Sequence, residues 1–199
     1  MKFINPVYLE KKTVERLKKE FRTNKPFPHL VLKDFFKREF LEKVKEELQK
    51  QPFERSGADL YQFKQSKDFS LLDNESLKGF YNCLNSKEFK DFLKEITGIE
   101  ACGELDCSGF IYEDKDYLLP HDDHLESRKI AYIVNLTTLK KEDGGALEFF
   151  REDNVTKSII PTFNSFIFFP VITNKTFHQV SEVITSVERL TISGWFNEK

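Results

Sequence analysis

The spacing of apolar residues changes at Gly98, and this change limits which folds the chain can adopt. Before Gly98, apolar residues recur every three or four positions, the spacing that places side chains on one face of an α-helix. After it, apolar and polar residues alternate, and β-branched and aromatic residues predominate, as is typical of strands. The sequence therefore predicts an α+β protein with a mainly helical half, 1–98, and a strand-rich half, 99–199.

Individual elements follow from the same spacing. Helices are predicted over 13–21, 36–51, 77–84 and 86–97, and Gly98 is expected to close the last of them as a C-terminal cap. The prolines at 26 and 28 break the chain before a short strand at 29–32. Seven strands are predicted at 106–112, 130–136, 146–150, 158–161, 165–169, 178–183 and 189–196. Closely spaced short strands indicate a β-sandwich or barrel, with the helices packed against one face.

Length and charge exclude several classes of protein. A chain of 199 residues without repeats or a Pro/Gly/Ser-rich linker fits one domain, 1–199. Its 31 Lys and Arg against 33 Asp and Glu supply no broad basic field, so direct nucleic-acid binding is not expected. No apolar stretch approaches the roughly 20 residues of a membrane span, and the N-terminus lacks a signal peptide's apolar segment. Three cysteines without a CxxC spacing argue against disulfides or a zinc site and favour the cytoplasm or, in a eukaryote, the nucleus.

The last predicted strand carries polar residues on one of its faces. Side chains alternate along a strand, so Arg189, Thr191 and Ser193 share a face opposite Leu190 and Ile192. The ordinary interpretation is an edge strand whose polar row faces solvent. The alternative is a row that lines the inside of a barrel, where the buried arginine needs an anion, and a carboxylate matches its planar fork.

The histidines favour the second interpretation. On an extended segment His121 and Asp123 point to the same side and can bind one metal ion. His178 begins the penultimate predicted strand, ahead of Arg189, and can supply a third ligand. Two histidines and one carboxylate leave open positions on the metal, which is the arrangement of non-haem Fe(II) oxygenases. An H-x-D tripeptide alone is weak evidence for a metal site. The ordered combination of this tripeptide with the later histidine and arginine is far more specific evidence.

Two neighbouring residues offer an alternative ligand pair. Asp122 and His124 are expected to project away from His121 and Asp123, toward the surface or an outer shell of the site. Spacing alone leaves open a site built on Asp122 and His124 instead.

At this point the sequence resembles a known family, the 2-oxoglutarate- and Fe(II)-dependent dioxygenases, and within it the ribosomal prolyl hydroxylases of yeasts and animals. The resemblance covers about 28–196. Its most specific segments are DLYQFKQS at 59–66, HDDHLE at 121–126, FHQVSEV at 177–183 and SGWF at 193–196. It implies a double-stranded β-helix, the jelly-roll, cupin-like barrel, which agrees with the predicted strands and the helices that precede them.

The resemblance also implies roles for particular residues. It assigns His121, Asp123 and His178 as iron ligands, and these three as the catalytic centre. At the cosubstrate it places Arg189 as the clamp on the distal carboxylate of 2-oxoglutarate, with Thr191 or Ser193 as a second donor. It also places Tyr112 there, and Asn135 stands where relatives have a second tyrosine that contacts the cosubstrate.

The implied reaction uses Fe(II), 2-oxoglutarate and O₂, with ascorbate in support, and yields succinate and CO₂ while a substrate is hydroxylated. The implied substrate is a prolyl residue of a protein, most plausibly of a small-subunit ribosomal protein. The yeast and animal enzymes continue into a second, non-catalytic β-helix domain where this chain ends, so functions of that domain, such as partner docking, are not expected here.

Two other functions stay open. The first is hydroxylation of a free amino acid or metabolite, which needs extra charges at the pocket. Lys64, Arg128 and Lys129 are candidates for them, although each is ordinarily a solvated surface charge. The second is a metal-free β-helix that only binds a partner.

Aromatic residues are candidate walls of the site. Tyr61 and Phe63 are placed near the substrate opening by resemblance, either to grip a peptide or as part of a structural hairpin. Four phenylalanines provide dry walls if they face inward and are otherwise ordinary core: Phe149, Phe166, Phe168 and Phe177.

Overall fold

A computed structural model describes residues 1–125 and 127–199; Glu126, the last residue of the HDDHLE segment, lies outside the described residues. The helices are α1 (Lys11–Thr23), α2 (Arg38–Gln49), α3 (Glu75–Asn85) and α4 (Lys87–Thr97), with short 3₁₀ turns at Pro6–Leu9, Phe69–Leu71 and Lys141–Asp143. None of the helices in the described part of the chain is both long and apolar enough to cross a membrane.

The strands form one curled antiparallel sheet, the double-stranded β-helix. They are β1 (Leu30–Leu32), β2 (Phe53–Ala58), β3 (Tyr61–Ser66), β4 (Ser108–Tyr112), β5 (Tyr117–His121), β6 (Arg128–Asn135), β7 (Leu147–Arg151), β8 (Asn154–Ile159), β9 (Ser165–Pro170), β10 (His178–Val180) and β11 (Arg189–Asn197). Their order is β1-β9-β6-β11-β4-β3-β5-β10-β7-β8, and β2 pairs with β3. The expected helices-plus-barrel architecture is confirmed.

The strand with the polar row lies in the middle of the sheet. β11 is hydrogen-bonded to β4 on one side and to β6 on the other, so the edge-strand interpretation is wrong. Leu190 and Ile192 pack into the main hydrophobic core against the helices. Arg189 and Thr191 face the inside of the curled sheet and are 2% and 1% exposed. Both faces are buried because helices cover the outer face while the sheet curls around the inner one.

Helices α1 to α4 cover the outer face because each has one apolar stripe. In α4 the stripe consists of Phe89, Phe92, Leu93 and Ile96, all buried. Ser86 caps the start of α4 through its hydroxyl, and Gly98 ends it in the left-handed conformation (φ 75°), as predicted. Most of the 21 phenylalanines lie in this core or in the smaller inner cluster.

The sequence pattern missed a hairpin and a strand. The β2–β3 hairpin interrupts the helical half, and β5 ends at His121. Neither has the clean alternation of a half-buried strand, since β2 is mostly exposed and β5 contains two consecutive exposed residues, Leu119 and Pro120. The strand predicted at 178–183 stops at Val180, and the strand predicted at 158–161 runs over Asn154–Ile159.

A side-chain contact joins the two outer strands of the sheet. Lys157, on β8, places Nζ 2.7 Å from Nε2 of His29, which directly precedes β1. His29 is fully buried, and its Nδ1 lies 2.8 Å from the carbonyl oxygen of Phe27. That carbonyl can only accept, so Nδ1 carries the proton and Nε2 accepts from the lysine ammonium. The neutral imidazole of His29 therefore links β8 to the start of β1 through its hydrogen bond from Lys157.

This contact predicts a loss of stability in mild acid. Burial and the neighbouring Lys157 charge, against the opposing effect of the Phe27 carbonyl, lower the pKa of His29 from 6.5 to about 4. The unfolded chain then binds a proton that the folded chain does not, so stability is lost as the pH falls from 6.5 toward 4. We expect about 2 kcal/mol to be lost at pH 5. The free energy of unfolding should therefore fall by about 2 kcal/mol less in His29→Gln than in the unsubstituted protein between pH 7.5 and pH 5. Chemical denaturation at the two pH values measures this difference.

His124→Gln is the matched control, because His124 is an exposed histidine. It should keep the full pH dependence. Equal pH dependence in His29→Gln and the unsubstituted protein would contradict the proposed role of the buried imidazole.

Candidate metal centre and cavity

Three side chains predicted as metal ligands meet at one point. Nε2 of His121 lies 3.3 Å from Oδ1 of Asp123, and Nε2 of His178 lies 3.3 Å from Oδ2 of the same carboxylate. One ligand atom from each residue lies within 4.8 Å of the others, and no further group of this kind occurs among the described residues. Two imidazoles and a carboxylate at this spacing can bind one divalent metal ion on one face.

Backbone contacts fix both imidazoles in the tautomer that a metal requires. Nδ1 of His121 lies 2.8 Å from the carbonyl oxygen of Leu119, and Nδ1 of His178 lies 2.9 Å from that of Thr176. A carbonyl accepts only, so each Nδ1 donates and each Nε2 presents its lone pair toward Asp123. Burial alone would raise the pKa of Asp123, but the two imidazoles hold it well below its usual range. Burial lowers the pKa of His121, but the Asp123 carboxylate, the Leu119 carbonyl and Asp122 together raise it above its usual value.

Strand pairing and one backbone turn bring the three residues together. His178, the first residue of β10, stands directly opposite His121, the last residue of β5. Asp123 reaches the same point because its backbone is left-handed (φ 62°). The prediction of an extended backbone through His121 and Asp123 is therefore wrong. The two side chains nevertheless lie close together, as expected.

Asp122 and His124 point away from this group, as expected. The Asp122 carboxylate accepts hydrogen bonds from the backbone N–H groups of His124 and Asn174, at 3.1 and 2.8 Å. Nδ1 of His124 lies 2.8 Å from the hydroxyl of Thr173. These contacts hold the loop around Asp123 in place, and Asp122 and His124 belong to no group of three possible metal ligands among the described residues.

The His-Asp-His group opens into a cavity of about 250 Å³ that also contains the polar row of β11. Arg189, Thr191 and Ser193 all line it. Arg189 is fully buried, and its Nε has no hydrogen-bond partner in the described part of the chain. Burial lowers its pKa, against the opposing effect of Tyr112. A buried guanidinium without a carboxylate partner is costly, so this cavity is suited to an anion.

Tyr112 and Asn135 occupy different places relative to this cavity. Tyr112 lines it with its ring 4.9 Å from the Arg189 guanidinium, and burial, against the lowering effect of Arg189, raises the pKa of its hydroxyl to about 12. Asn135 stands opposite Thr191 in the strand register but does not line the cavity. Its amide donates to the Ser165 hydroxyl at 2.8 Å, which leaves its Oδ1 without a partner among the described residues.

Aromatic rings form one wall of the cavity. Tyr61 and Phe63 of β3 line it with their ring centroids 5.0 Å apart, and Phe169 lines it against His178 at 4.7 Å. The four phenylalanines predicted as candidate walls do not line it: Phe166 and Phe168 belong to the main core, Phe149 to the inner cluster, and Phe177 to an outer groove.

Of the three candidate charges at the pocket, only Arg128 lines the cavity. Lys64 and Lys129 are ion-paired instead, to Glu113 and Glu198, both at 2.6 Å. The Arg128 guanidinium lies 3.3 Å from the centre of the Trp195 ring, and its Nη1 is 3.4 Å from the backbone carbonyl oxygen of Asp123.

Trp195 is a cavity residue whose role the sequence analysis missed. It lies on the same face of β11 as Arg189, Thr191 and Ser193, so alternation along the strand could have identified it. Its contact with Arg128 depends on the pairing of β11 with β6, which no local pattern records.

An ion pair attaches the β2–β3 hairpin, and with it the aromatic wall, to the sheet. Nη1 of Arg55 on β2 lies 2.7 Å from Oδ2 of Asp116, whose side chain is 0% exposed and also accepts from the backbone N–H of Glu113 at 2.9 Å. Removing the arginine leaves a buried carboxylate with too few donors. We expect Arg55→Met to lower the free energy of unfolding by about 2 kcal/mol, measured by chemical denaturation.

Lys50→Met is the control for this prediction, because the Lys50–Glu47 pair lies at the surface. It should leave the free energy of unfolding nearly unchanged. In a double-mutant cycle, Asp116→Asn should cost less in the Arg55→Met background than alone. Additive effects would show that the ion pair does not anchor the hairpin.

Comparison with known proteins places the chain beside iron- and oxoglutarate-dependent oxygenases. A model of the 2OG-Fe(II) oxygenase superfamily matches residues 107–197, and a model described as oxoglutarate and iron-dependent oxygenase degradation C-term matches residues 1–59. Prolyl 3-hydroxylase OGFOD1 of Xenopus laevis is 40% identical over 181 residues, which cover 86% of this chain and 35% of that protein. Prolyl 3,4-dihydroxylase OGFOD1 of Ostreococcus tauri is 32% identical over 197 residues, 87% of this chain and 38% of that protein. The chain thus spans little more than a third of the length of these relatives.

Solved structures share the fold at low sequence identity. A Pseudomonas putida prolyl-4-hydroxylase superposes with a TM-score of 0.77 at 14% identity, covering 94% of this chain and 99% of its own. A Trichoplax adhaerens prolyl hydroxylase, in complex with a hypoxia inducible factor peptide fragment, superposes with a TM-score of 0.72 at 15% identity, covering 94% and 91%. At such identities the likeness establishes the double-stranded β-helix fold.

Proposed function

The chain belongs to the 2-oxoglutarate- and Fe(II)-dependent oxygenase superfamily, and from that premise we propose that it is a dioxygenase that hydroxylates a prolyl residue of a protein. The observation that carries the proposal is the joint presence, in one cavity, of the His-Asp-His group and a buried arginine whose Nε has no partner among the described residues. Either feature alone is compatible with a purely structural role. Together they provide for a divalent metal ion and for a dicarboxylate that binds beside it.

The residues present fit both groups. His121, Asp123 and His178 would hold Fe(II), because two lone pairs and a carboxylate converge with their tautomers already fixed. When bound, the metal and 2-oxoglutarate supply O₂ activation coupled to formation of succinate and CO₂, with ascorbate as a supporting reductant. The protein's part is to bind, orient and keep water out.

The polar row would bind the cosubstrate. Arg189 would pair with its distal carboxylate through two parallel N–H donors, and Thr191 or Ser193 would add a hydroxyl donor. Tyr112, whose raised pKa keeps the hydroxyl protonated, can donate a hydrogen bond in the same region. A role for Asn135 stays a prediction, since its amide is already bonded to Ser165.

The substrate proposal rests on the relatives and on the cavity. The curated relatives are named as prolyl hydroxylases. The stacked Arg128–Trp195 pair and the Tyr61–Phe63 rings give the cavity flat apolar surfaces next to the metal ligands, which suit a pyrrolidine ring. The Arg128 guanidinium, which lines the cavity, is a donor for a peptide carbonyl. We take a small-subunit ribosomal protein as the target and the cytoplasm, or a eukaryotic nucleus, as the location.

Succinate formation tests the proposal directly. The protein is incubated with Fe(II), ascorbate and 2-oxoglutarate under air, with and without ribosomal-protein peptides that contain a proline, and the peptides are analysed by mass spectrometry. The expected result is peptide-stimulated succinate formation with a mass gain of about 16 Da on proline, the mass of one oxygen atom. The matched control is the same peptide with alanine in place of the proline, which should not be modified.

Each other outcome points to a different function. Succinate formation that is indifferent to peptide would retain the dioxygenase but overturn the protein substrate in favour of a free amino acid or metabolite. No turnover and no metal binding would overturn the enzyme and leave a binding module.

A further inference from the structure

Gly145 lies directly behind the arginine that the proposed function assigns to the cosubstrate. It belongs to the turn between the 3₁₀ helix at Lys141–Asp143 and β7, and its backbone is left-handed (φ 65°). A Cβ built on Gly145 would lie 3.2 Å from Cδ of Arg189, 3.1 Å from Cδ2 of Leu139 and 3.1 Å from Cγ2 of Val183. Gly145 does not itself line the cavity, whereas Arg189 does.

Backbone hydrogen bonds hold the turn that carries Gly145 against the neighbouring segment, so the turn cannot move away from these side chains. The N–H of Gly145 donates to the carbonyl of Glu182 at 3.1 Å, and the N–H of Ile184 donates to the carbonyl of Asp143 at 2.9 Å. Gly144 is already pressed against the same segment, since a Cβ there would lie 2.0 Å from the Glu182 carbonyl oxygen. An added side chain at position 145 must therefore be accommodated by its side-chain neighbours.

Among these neighbours, Arg189 is the one with space in front of it. Leu139 and Val183 are 5% and 0% exposed and packed among other side chains. The Arg189 side chain borders the cavity, where its guanidinium contacts Tyr112, while its Nε has no hydrogen-bond partner among the described residues. A methyl group at position 145 would thus displace the Arg189 side chain by a few tenths of an ångström toward the space that a dicarboxylate would occupy.

We propose that Gly145 is a positioning residue that sets how far the Arg189 guanidinium reaches into the cavity, and so selects the chain length of the 2-oxo dicarboxylate. The inference rests on the proposed function, since it takes Arg189 as the partner of the distal carboxylate. It assigns to Gly145, in the turn before β7, a part in cosubstrate recognition.

A matched pair of glycine substitutions tests the proposal. Gly145→Ala adds a methyl group behind Arg189. Gly98→Ala adds one at the end of α4, at a similar left-handed φ (75°), but there the new carbon has no described atom within 4 Å apart from those of its chain neighbours and its own helix. The backbone penalty is shared, so only the contacts differ. Binding of 2-oxoglutarate, and of the one-carbon-shorter oxaloacetate, is measured on the Mn(II)-loaded protein by fluorescence of Trp195, the single tryptophan, which lines the cavity.

Gly145→Ala should weaken 2-oxoglutarate binding about tenfold and oxaloacetate binding less, so that the preference for the longer acid falls. Gly98→Ala should leave both affinities within about twofold of the unsubstituted protein, and Mn(II) affinity should be unchanged in both variants. If Gly145→Ala does not fold, Gly145→Ala/Val183→Ala, which removes one crowded contact, is compared with Val183→Ala.

Two results would overturn the inference and leave the proposed function standing: unchanged affinity and unchanged chain-length preference in Gly145→Ala, or an equal loss in Gly98→Ala. Failure of the unsubstituted protein to bind either acid would instead overturn the proposed function itself.

Discussion

Alanine at His121 or His178 is expected to abolish metal binding and to reduce peptide-dependent succinate formation at least about a thousandfold. Each histidine contributes one of the three converging ligand atoms, and the remaining imidazole and carboxylate leave a site with too few ligands. Metal binding stabilises only the folded state, by about 2.7 kcal/mol at a metal concentration 100 times the Kd. For a chain of this size that corresponds to an increase in Tm of about 5–10 °C, which both variants should lose.

His124→Ala is the matched control for this experiment. His124 is three residues from His121 in the same segment, but it is exposed and contacts Thr173. It should keep both the metal-dependent increase in Tm and the turnover, apart from a small loss of loop stability. If His124→Ala lost the metal while His121→Ala kept it, the ligand assignment would be wrong.

Replacement of Arg189 by methionine is expected to have opposite effects on binding and on stability. Methionine keeps an unbranched apolar side chain but removes the guanidinium, so the distal carboxylate of 2-oxoglutarate loses its charged partner. We expect 2-oxoglutarate affinity to fall about 100- to 1,000-fold, measured by Trp195 fluorescence on the Mn(II)-loaded protein. Mn(II) affinity should not change, because Arg189 does not contact the His-Asp-His group.

The ligand-free Arg189→Met protein should be more stable by about 1 kcal/mol in chemical denaturation. Arg189 is buried without a carboxylate from the described residues, and the Tyr112 ring at 4.9 Å offsets only part of that cost. Arg22→Met, at an exposed position of α1, should leave both 2-oxoglutarate affinity and stability nearly unchanged. Lower stability of ligand-free Arg189→Met would show that the arginine is structurally satisfied, which would remove the main argument for an anion in the cavity.

Most of the fold and the metal-binding group could be predicted because the relevant signals are local. Helix faces such as that of α4 repeat over several turns, and the strands buried on both sides, such as β9, are rich in aromatic residues. The HxD spacing, the later His178 and the alternation along β11 identified six cavity residues in advance. Exposed or irregular strands carry no such signal. β2 is mostly exposed, and β5 is stabilised by pairing with β3 and β10, which are distant along the chain.

The sequence by itself determined which functional groups are present. It identified the candidate metal ligands and a strand with one polar and one apolar face. Only the tertiary structure decided which polar groups would be buried. The sheet curls so that Arg189 faces a cavity, the left-handed backbone at Asp123 turns its carboxylate toward two histidines, and strand pairing brings Arg128 onto Trp195. The physical reason is that burial, and with it the cost of an unpaired charge, depends on contacts between residues far apart in the chain. Spacing along the chain records which side chains share a face, but not what lies opposite that face.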